Sequence, residues 1–308
     1  MTTLKIGIVG FGKIARDQHL PAITATNGLE LVAVADPNTG SDMVPAYPTL
    51  EAMISVHPEI GAVSLCQPPS ARFAAAIVAL AAGKHVFLEK PPGVSVAQVN
   101  AMSTSAQARG VTLFTGWHSR FGSAIAPARL WLRSKSPRRI AIIWREDVRQ
   151  WHPGQAWIWE EGGFGVFDPG INALSILTAL FDAPIRLCDA TLEIPANRAM
   201  PIAARLEMES ADGCAIIADF DWRQAGLQSW VIEIETDTGN ARLSHGGNRL
   251  EIDGRQQQLE PAREYAAMYA HFADLIGSGR SDIDTAPLAL AELALATGRR
   301  IVTESFRD

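Results

Sequence analysis

The feature that most constrains the fold is a glycine-rich loop close to the N-terminus. A short apolar run, Lys5–Val9, leads directly into the sequence GFGKIA, which spaces Gly10, Gly12 and Ala15 as GxGxxA. Gly10 permits a tight turn after a strand, Gly12 lets the backbone approach a pyrophosphate, and Ala15 allows close helix–strand packing. Since a helix N-terminus offers N–H groups to anions, the loop predicts a dinucleotide-binding βαβ unit.

The first third of the chain alternates short apolar runs with helical patterns. Two helical patterns, Ser70–Ala82 and Ser95–Arg109, each open with a serine suited to an N-cap and are followed by glycine. This alternation predicts a parallel sheet that is covered on both faces. The predicted strands are Lys5–Val9, Leu29–Ala35, Ala62–Leu65, His85–Leu88 and Thr112–Thr115.

The pattern changes after about residue 120. A helix over Ser123–Ser134 and a strand over Arg138–Trp144 precede a loop rich in Trp and Gly, and another helix is predicted from Pro169. Residues 185–260 are typical of an antiparallel meander, because glycine-containing turn signals separate successive apolar runs. The turn signals are Asp212-Gly213, Gly246-Gly247 and Asp253-Gly254, and helical patterns over 263–277 and 287–304 follow.

These patterns predict an α/β protein with two domains. Residues 1–119 are expected to form a Rossmann domain, that is, a doubly wound parallel sheet. Residues 120–308 are expected to form an α+β domain built on a large open, mostly antiparallel sheet.

Composition restricts the classes of partner. The 308 residues carry a net charge of −6 and no cluster of Lys and Arg, which disfavours nucleic acid. The cysteines, Cys66, Cys188 and Cys214, are scattered and lack CxxC spacing, so neither disulfides nor a zinc site is expected and a reducing cytoplasm fits. The apolar runs are too short for a membrane span, and the run Ile6–Val9 is too short for a signal peptide.

Asp36 ends the second predicted strand, about 20 residues beyond the glycine loop. A carboxylate there accepts hydrogen bonds from the adenosine ribose and repels a 2′-phosphate, and no arginine occupies positions 37–40. Asp36 before Pro37-Asn38 also suits a plain turn. The sequence therefore favours NAD over NADP while leaving NADP possible.

Lys90 follows the predicted strand His85–Leu88 in the segment LEKPPG. The carboxyl ends of parallel strands form the edge where open α/β sheets bind ligands, and Pro91 and Pro92 stiffen the backbone behind the lysine. Lys90 is either an ordinary surface residue or a group that orients a hydroxyl, stabilises an alkoxide or acts as a base.

Four long segments resemble the glucose-fructose oxidoreductase/inositol dehydrogenase family. They are GKIARDQHLPAI (12–23), AGKHVFLEKPPG (82–93), WREDVRQWHPGQAWIW (144–159) and GGFGVFDPGINALSI (162–176). Within the family they are similar to bacterial enzymes that oxidise C1 of L-arabinose, D-galactose or D-fucose. The resemblance covers the whole chain and implies oxidation of an aldopyranose to its lactone with NAD or NADP. The expected dinucleotide-binding residues are Gly10, Gly12, Lys13, Ile14, Asp36, Glu89 and Lys90.

The segment FDPGIN supplies the second group of site residues. Asp168 suits an N-cap, Pro169 suits the first helical position, and Asn172 follows Asp168 at i+4 on the same side of the helix. The pattern alone favours Asp168 as a helix cap and nothing more. The resemblance implies that Asp168 and Asn172 contact the C1 hydroxyl and the ring oxygen of the sugar.

Polar and aromatic residues before this segment suit a pyranose. Glu146 and His152 can bind hydroxyls, and the indole of Trp151 can accept C–H surface, whereas Trp157 and Trp159 are expected to be mainly core. His118, after the last predicted strand of the first domain, is either a further hydroxyl partner or a structural histidine. We expect Asp168 to take the hydroxyl proton while Lys90 orients the hydroxyl, although the sequence does not assign the base within this pair.

Two other functions fit part of the pattern. A non-catalytic sensor of NAD and sugar needs the glycine loop but not Lys90, Asp168 and Asn172 together, and all three are present. A glycosidase that oxidises its substrate transiently would make no net NADH.

The pattern of the C-terminal strands bears on the oligomeric state. Apolar residues alternate along Trp230–Glu235 and Ala215–Phe220 so that the sheet has two semi-apolar faces. This pattern, and the family resemblance, predict a homodimer or a tetramer built from dimers.

Overall fold

The computed structural model describes residues 3–38, 40–181 and 183–307. The strands are β1 (Leu4–Val9), β2 (Leu29–Ala35), β3 (Ala46–Tyr47), β4 (Ala62–Leu65), β5 (His85–Glu89), β6 (Leu113–Gly116), β7 (Pro137–Arg145), β8 (Ile185–Pro195), β9 (Ala203–Ser210), β10 (Ala215–Asp221), β11 (Ser229–Thr236), β12 (Gly239–Ser244), β13 (Arg249–Ile252), β14 (Arg255–Gln256) and β15 (Arg299–Thr303).

Helices α1 to α9 lie between and after these strands. They are α1 (Leu20–Ala25), α2 (Leu50–Val56), α3 (Pro69–Ala81), α4 (Val96–Arg109), α5 (Ile125–Leu132), α6 (Val148–Trp151), α7 (Phe167–Leu180), α8 (Glu264–Gly277) and α9 (Ala286–Thr297). A π-helical turn over Ala15–His19 precedes α1, and short 3₁₀ turns cover His118–Phe121 and Ala156–Trp159. None of the described helices is long and apolar enough to cross a membrane.

The chain divides into two compact units. The first comprises residues up to His118 together with Glu264–Thr285, and the second comprises Ser119–Arg263 and the residues from Ala286 onwards. Residues 264–285, which the sequence-based boundary assigns to the second domain, thus lie in the first unit. The reason is packing: on α8, Tyr269 stacks on Phe87 of β5, with ring centroids 5.0 Å apart.

The first unit contains the predicted parallel sheet. Its strands are hydrogen-bonded in the order β3-β2-β1-β4-β5-β6, and the five strand pairs formed by the described residues are all parallel. The order reverses where β1 lies between β2 and β4, and open α/β sheets bind ligands at the carboxyl ends beside such a reversal. The glycine loop leaves β1 at this point, so the fold positions it as the sequence predicts.

Of the two N-cap serines predicted in this unit, one is confirmed and the other is wrong. Ser95 caps α4 by accepting a hydrogen bond from the N–H of Gln98 at 3.3 Å, as predicted. The prediction for α3 is wrong, because Pro68 occupies the N-cap position and Pro69 the first turn. Proline fits there since its missing N–H would have no partner within the helix.

The second unit is built on a mixed, mostly antiparallel sheet. Over the described residues, its strand order is β14-β13-β12-β11-β7-β10-β9-β8-β15. The fold class is confirmed, but the simple meander is wrong. Strand β7 is inserted between β10 and β11, it pairs with β10 in parallel, and β15 pairs with β8 in parallel. The three predicted glycine turns are confirmed, with Gly213, Gly247 and Gly254 at φ of 81°, 92° and 74°.

The predicted helix over 287–304 is also wrong in its second half. Helix α9 ends at Thr297, and β15 begins at Arg299 after Gly298. Gly298 still donates its N–H to the carbonyl of Ala294 at 2.9 Å, and it follows the last turn of the helix. The β-branched run Ile301-Val302-Thr303 then favours an extended chain, which pairs with the end of β8.

Helix α7 begins earlier than predicted. Val166 occupies the N-cap position without a side-chain hydrogen bond, so Asp168 is not the cap and lies within the first turn. The chain turns at Gly165, where φ is 52°, and the N–H of Val166 bonds to the carbonyl of Pro201 at 2.8 Å. Asp168 therefore sits near the positive end of the helix dipole, and Asn172 follows one turn later.

Candidate active site

The glycine loop has the geometry of a dinucleotide cradle. Gly10 has φ of 85°, and a Cβ there would lie 2.6 Å from the backbone N of Gln67, so only glycine fits. A Cβ on Gly12 would meet nothing within 4 Å, which leaves room for a phosphate beside the backbone. The buried Oε1 of Gln67 has no hydrogen-bond partner among the described residues. These features fit a bound dinucleotide that supplies both an anion and a donor.

Asp36 and Arg16 both bond to the backbone of one residue of this loop, Phe11. The Oδ2 of Asp36 accepts a hydrogen bond from the N–H of Phe11 at 2.8 Å, and Arg16 donates to the carbonyl of Phe11 at 3.0 Å. The other oxygen of Asp36 accepts from the N–H of Asn38 at 2.8 Å, so the turn geometry is also present. A carboxylate and a guanidinium thus stand together where the ribose of a dinucleotide is expected.

Two further residues of the loop are more exposed. Lys13 forms an exposed ion pair with Asp17, one turn along, and the side chain of Ile14 is 38% exposed. An exposed ion pair of this kind contributes little to stability, so Lys13 is available to an anionic ligand at small cost.

Lys90 lies at the carboxyl end of β5, as predicted. It is half-buried, and the next peptide bond, to Pro91, is cis. The guanidinium of Arg72, which is 4% exposed, donates to the carbonyl of Pro91. Prolines and a buried arginine together hold the backbone that follows the lysine.

Glu89 is buried beneath this segment. Its Oε2 accepts the backbone N–H of Lys90, and its Oε1 accepts the hydroxyl of Tyr265 at 2.5 Å. Burial alone would raise the pKa of Glu89, but the neighbouring side chains of His19, His118 and Lys90 lower it to about 2. Both carboxylate oxygens are engaged by the protein, which supports a positioning role for Glu89.

His118 belongs to the same cluster of the first unit. Its Nδ1 lies 2.6 Å from Oε2 of Glu264, and its ring stacks on Tyr265 with centroids 5.5 Å apart. The structure thus brings Glu89, Lys90 and His118 together through Tyr265.

Glu146 organises the candidate sugar-binding residues of the second unit. It follows β7 and is 6% exposed, and its two oxygens accept the indole N–H groups of Trp222 at 3.2 Å and Trp230 at 2.9 Å. Burial raises the pKa of Glu146, and the nearby Asp168 adds to this, whereas the two indoles and His152 oppose it. The two indoles thus fix the position of this carboxylate, and its raised pKa means that it binds a proton more readily than an exposed glutamate does.

His152 lies beside Asp168 and contacts the ring of Trp222, one of the two donors to Glu146. Its Nε2 lies 3.4 Å from Oδ2 of Asp168, and its ring centroid lies 5.2 Å from that of Trp222. The Nδ1 of His152 is 3.3 Å from Oε1 of Gln155. Asp168, only 5% exposed, therefore has an imidazole beside it that can share or pass on a proton.

The tryptophans divide into surface and core residues. Trp151 is 44% exposed, donates to Gln228 at 2.5 Å and contacts Trp230 edge-on. Trp159 is 3% exposed and packs on Trp222 and Phe306, so the expectation that it is core is confirmed.

Several residues of both clusters escaped the sequence analysis. Trp222 and Trp230 were missed because nothing in the sequence shows that β7 separates β10 from β11, which brings both indoles to the end of β7. Tyr265 and Glu264 were missed because they lie far along the chain, in a helix assigned to the other domain. The basic residues Arg16 and Arg72 were available as a signal, since each lies within a helix that follows a strand of the parallel sheet.

Comparison with known proteins is consistent with this geometry. A family model, GFO_IDH_MocA, described as an oxidoreductase family with an NAD-binding Rossmann fold, matches residues 4–117. A galactose 1-dehydrogenase from Pseudomonas fluorescens is 41% identical over 308 residues, covering 100% of both chains.

Solved structures extend the likeness to the whole fold. The crystal structure of a D-galactose-1-dehydrogenase from Rhizobium etli has a TM-score of 0.95 and 48% identity, covering 100% of this chain and 99% of that one. The 3-ketoreductase KijD10 from Actinomadura kijaniata has a TM-score of 0.82 at 19% identity, covering 98% of this chain and 100% of that one, and shares the fold alone. The chain therefore belongs to the GFO_IDH_MocA family of oxidoreductases with an NAD-binding Rossmann fold.

Proposed function

We propose that the protein is an aldose 1-dehydrogenase that oxidises the anomeric carbon of a pyranose to a lactone with NAD. The observation that carries the proposal is the buried cluster of Glu146, His152 and Asp168, fastened by two indole N–H groups, in a chain that also carries a dinucleotide loop. Full-length similarity to two galactose 1-dehydrogenases supports the choice of a sugar.

The reaction removes a hydride from C1 and a proton from the hydroxyl group on C1. NAD, when bound, accepts the hydride from C1. We infer that Asp168 takes the proton of the C1 hydroxyl and that the ammonium of Lys90 orients this hydroxyl and offsets the charge on its oxygen. The C1–H and O–H bonds break, a C1=O bond forms, and the products are the lactone, NADH and one proton. His152, 3.4 Å from Asp168, can stabilise the carboxylate or pass the proton onward.

The remaining polar side chains recognise the ring. Asn172 lies one turn beyond Asp168 on α7 and is proposed to contact the ring oxygen or the C1 hydroxyl. Glu146, His118 and Trp151 are proposed partners for the other hydroxyls and for the C–H surface of the sugar. L-Arabinose, D-galactose and D-fucose share the configuration of C2 to C4, so one set of partners serves all three.

The outer face of the C-terminal sheet supports an oligomer. Ala141 and Ile143 of β7 and Ile217 of β10 are only half-buried there. Ion pairs such as Arg139–Glu235 at 3.1 Å and Arg145–Asp219 at 2.9 Å flank them. We propose that this apolar centre with a charged border joins copies of the chain in a homodimer or a dimer-based tetramer. The cysteines, which are all free thiols, fit a place in the reducing cytoplasm.

The first prediction concerns the reaction itself. With NAD and D-galactose, L-arabinose or D-fucose, the purified enzyme is expected to release NADH continuously and to form a lactone, because both products leave after each turnover. Initial rates over a panel of aldoses with both cofactors measure this. An NAD-binding protein that makes no NADH with any aldose would instead be a sensor, and a single burst without further turnover would indicate a glycosidase that retains its cofactor.

The second prediction concerns the choice of cofactor. NAD is expected to give the higher kcat/KM, because the carboxylate of Asp36 repels a 2′-phosphate. Asp36→Ser should reduce the difference in kcat/KM between NAD and NADP. We propose that the guanidinium of Arg16 pairs with the 2′-phosphate of NADP. Arg16→Gln should therefore weaken NADP binding by about tenfold, as expected for loss of one charge-assisted hydrogen bond, with little effect on NAD binding.

Arg109→Gln is the matched control for the arginine, since Arg109 is an exposed residue at the end of α4 in the same unit. This substitution should change the binding of neither NAD nor NADP. A wild-type enzyme that clearly prefers NADP would overturn the assignment of Asp36, and equal losses of NAD and NADP in Arg16→Gln would overturn that of Arg16.

The third prediction concerns Lys90 and Asp168. Lys90→Met and Asp168→Asn should each lower kcat by about 10² to 10⁴ while NAD affinity stays nearly constant, because both groups act on the proton of the substrate. The double variant should be little worse than either single variant, since residues that act as a unit are not additive. A four-cornered kinetic cycle with NAD affinities and melting temperatures measures this.

Lys84→Met is the matched control for the lysine. Lys84 precedes β5 at its other end and donates to the carbonyl of Pro58 at 2.9 Å, so its loss should leave kcat unchanged. If Lys90→Met keeps near-normal kcat, Lys90 is a surface residue and the proposed site is wrong.

A further inference from the structure

One tyrosine of helix α8, Tyr265, contacts both Glu89 and His118 in the first unit. Tyr265 is 8% exposed and lies in the first turn of α8. Its hydroxyl donates to Oε1 of Glu89 at 2.5 Å, and its ring stacks on His118 at 5.5 Å with the planes 19° apart. The hydroxyl and the ring of the same side chain therefore serve two different neighbours.

The hydroxyl reaches Lys90 through one intermediate group. Glu89 accepts Tyr265 on one oxygen and the backbone N–H of Lys90 on the other. A carboxylate held on both oxygens cannot rotate without breaking a bond, so its position sets that of the lysine backbone. Tyr265 therefore acts on the lysine through Glu89.

The far side of Glu89 is closed by a histidine and a second tyrosine. The Nε2 of His19 lies 3.5 Å from Oε1 of Glu89, and Nδ1 of His19 is 2.8 Å from the hydroxyl of Tyr269. Tyr269 is also 2.7 Å from Oγ of Ser64. Tyr269 is thus also buried, on the same helix, and its hydroxyl bonds to His19 and Ser64.

Charge makes the Tyr265–Glu89 contact strong. Burial opposes ionisation of Glu89, yet the neighbouring side chains of His19, His118 and Lys90 lower its pKa to about 2, so the carboxylate is anionic at neutral pH. Burial and the charge of Glu89 raise the pKa of Tyr265, which keeps the phenol a donor. The titratable groups that face Glu89 are His19, Cys66, Lys90, His118, Tyr265 and Tyr269.

We propose that Tyr265 is a positioning residue for the dehydrogenase: its hydroxyl fixes Lys90 through Glu89, and its ring supports His118. The inference rests on the proposed function, because it gives Lys90 and His118 their roles there. It explains why a helix far along the chain belongs to the dinucleotide-binding unit: α8 supplies the donor that Glu89 requires.

The experiment compares Tyr265→Phe with Tyr269→Phe. Tyr265→Phe keeps the ring on His118 but removes the donor to Glu89, so kcat should fall by about 10- to 100-fold while the KM for the sugar and the affinity for NAD change little. Tyr269→Phe should lower the melting temperature comparably but leave kcat unchanged.

A second variant separates the two roles. Tyr265→Leu removes the ring as well as the hydroxyl, so the KM for the sugar should rise in addition to the loss of kcat. A KM that is the same in Tyr265→Phe and Tyr265→Leu would overturn the supporting role of the ring for His118.

An activity-free measurement distinguishes failure of this inference from failure of the proposed function. Lysine amines can be methylated with ¹³C and followed by NMR, and Lys90→Arg assigns the signal of Lys90. The signal of Lys90 should move in Tyr265→Phe and not in Tyr269→Phe, while those of the other lysines stay in place. The other lysines are Lys5, Lys13, Lys84 and Lys135.

The outcomes are separable. If the wild-type protein oxidises no aldose, the proposed function fails and the NMR signal alone decides whether Tyr265 positions Lys90. If Tyr265→Phe only lowers the melting temperature, with kcat and the Lys90 signal as in Tyr269→Phe, Tyr265 is a packing residue and the inference is wrong.

Discussion

The hydrogen bond from Tyr265 to the buried carboxylate of Glu89 is the interaction on which the first unit depends. A carboxylate at that depth is costly unless donors surround it, and here the donors come from separate parts of the chain. Because α8 provides one of them, residues 264–285 join a sheet formed by the first 116 residues. The same carboxylate holds the backbone of Lys90, so the requirement to satisfy a buried charge also positions a functional group.

The second unit solves a similar problem with indole groups. Glu146 directly follows β7, which lies between β10 and β11. Trp222 directly follows β10 and Trp230 lies in β11, and each indole N–H meets one carboxylate oxygen of Glu146. Trp222 also contacts the ring of His152, which lies beside Asp168. A single sheet order thus gathers a carboxylate, an imidazole and a second carboxylate into one partly dehydrated cluster, where hydrogen bonds to a sugar are stronger than in water.

Local rules predicted much of this protein, and non-local contacts account for the rest. The glycine loop, the parallel sheet, the Ser95 cap and the glycine turns depend on a few neighbouring residues, so the sequence was sufficient for them. The start of α7 depends on a turn at Gly165 and a bond to Pro201, and β15 depends on pairing with β8, so local patterns misplaced both. The partners of Glu89 and Glu146 were hidden for the same reason: no spacing reveals which distant residue fills a buried acceptor.

The proposed reaction requires that C1 of an aldopyranose loses a hydride to the cofactor. The most direct measurement uses D-galactose that carries deuterium at C1 and follows the label by mass spectrometry of the cofactor and the sugar product. We expect that the deuterium appears in the reduced cofactor, that the lactone has lost it, and that turnover is slower than with unlabelled sugar if C–H cleavage limits the rate. NADH formed without deuterium, or an oxidised product that retains deuterium at C1, would contradict it.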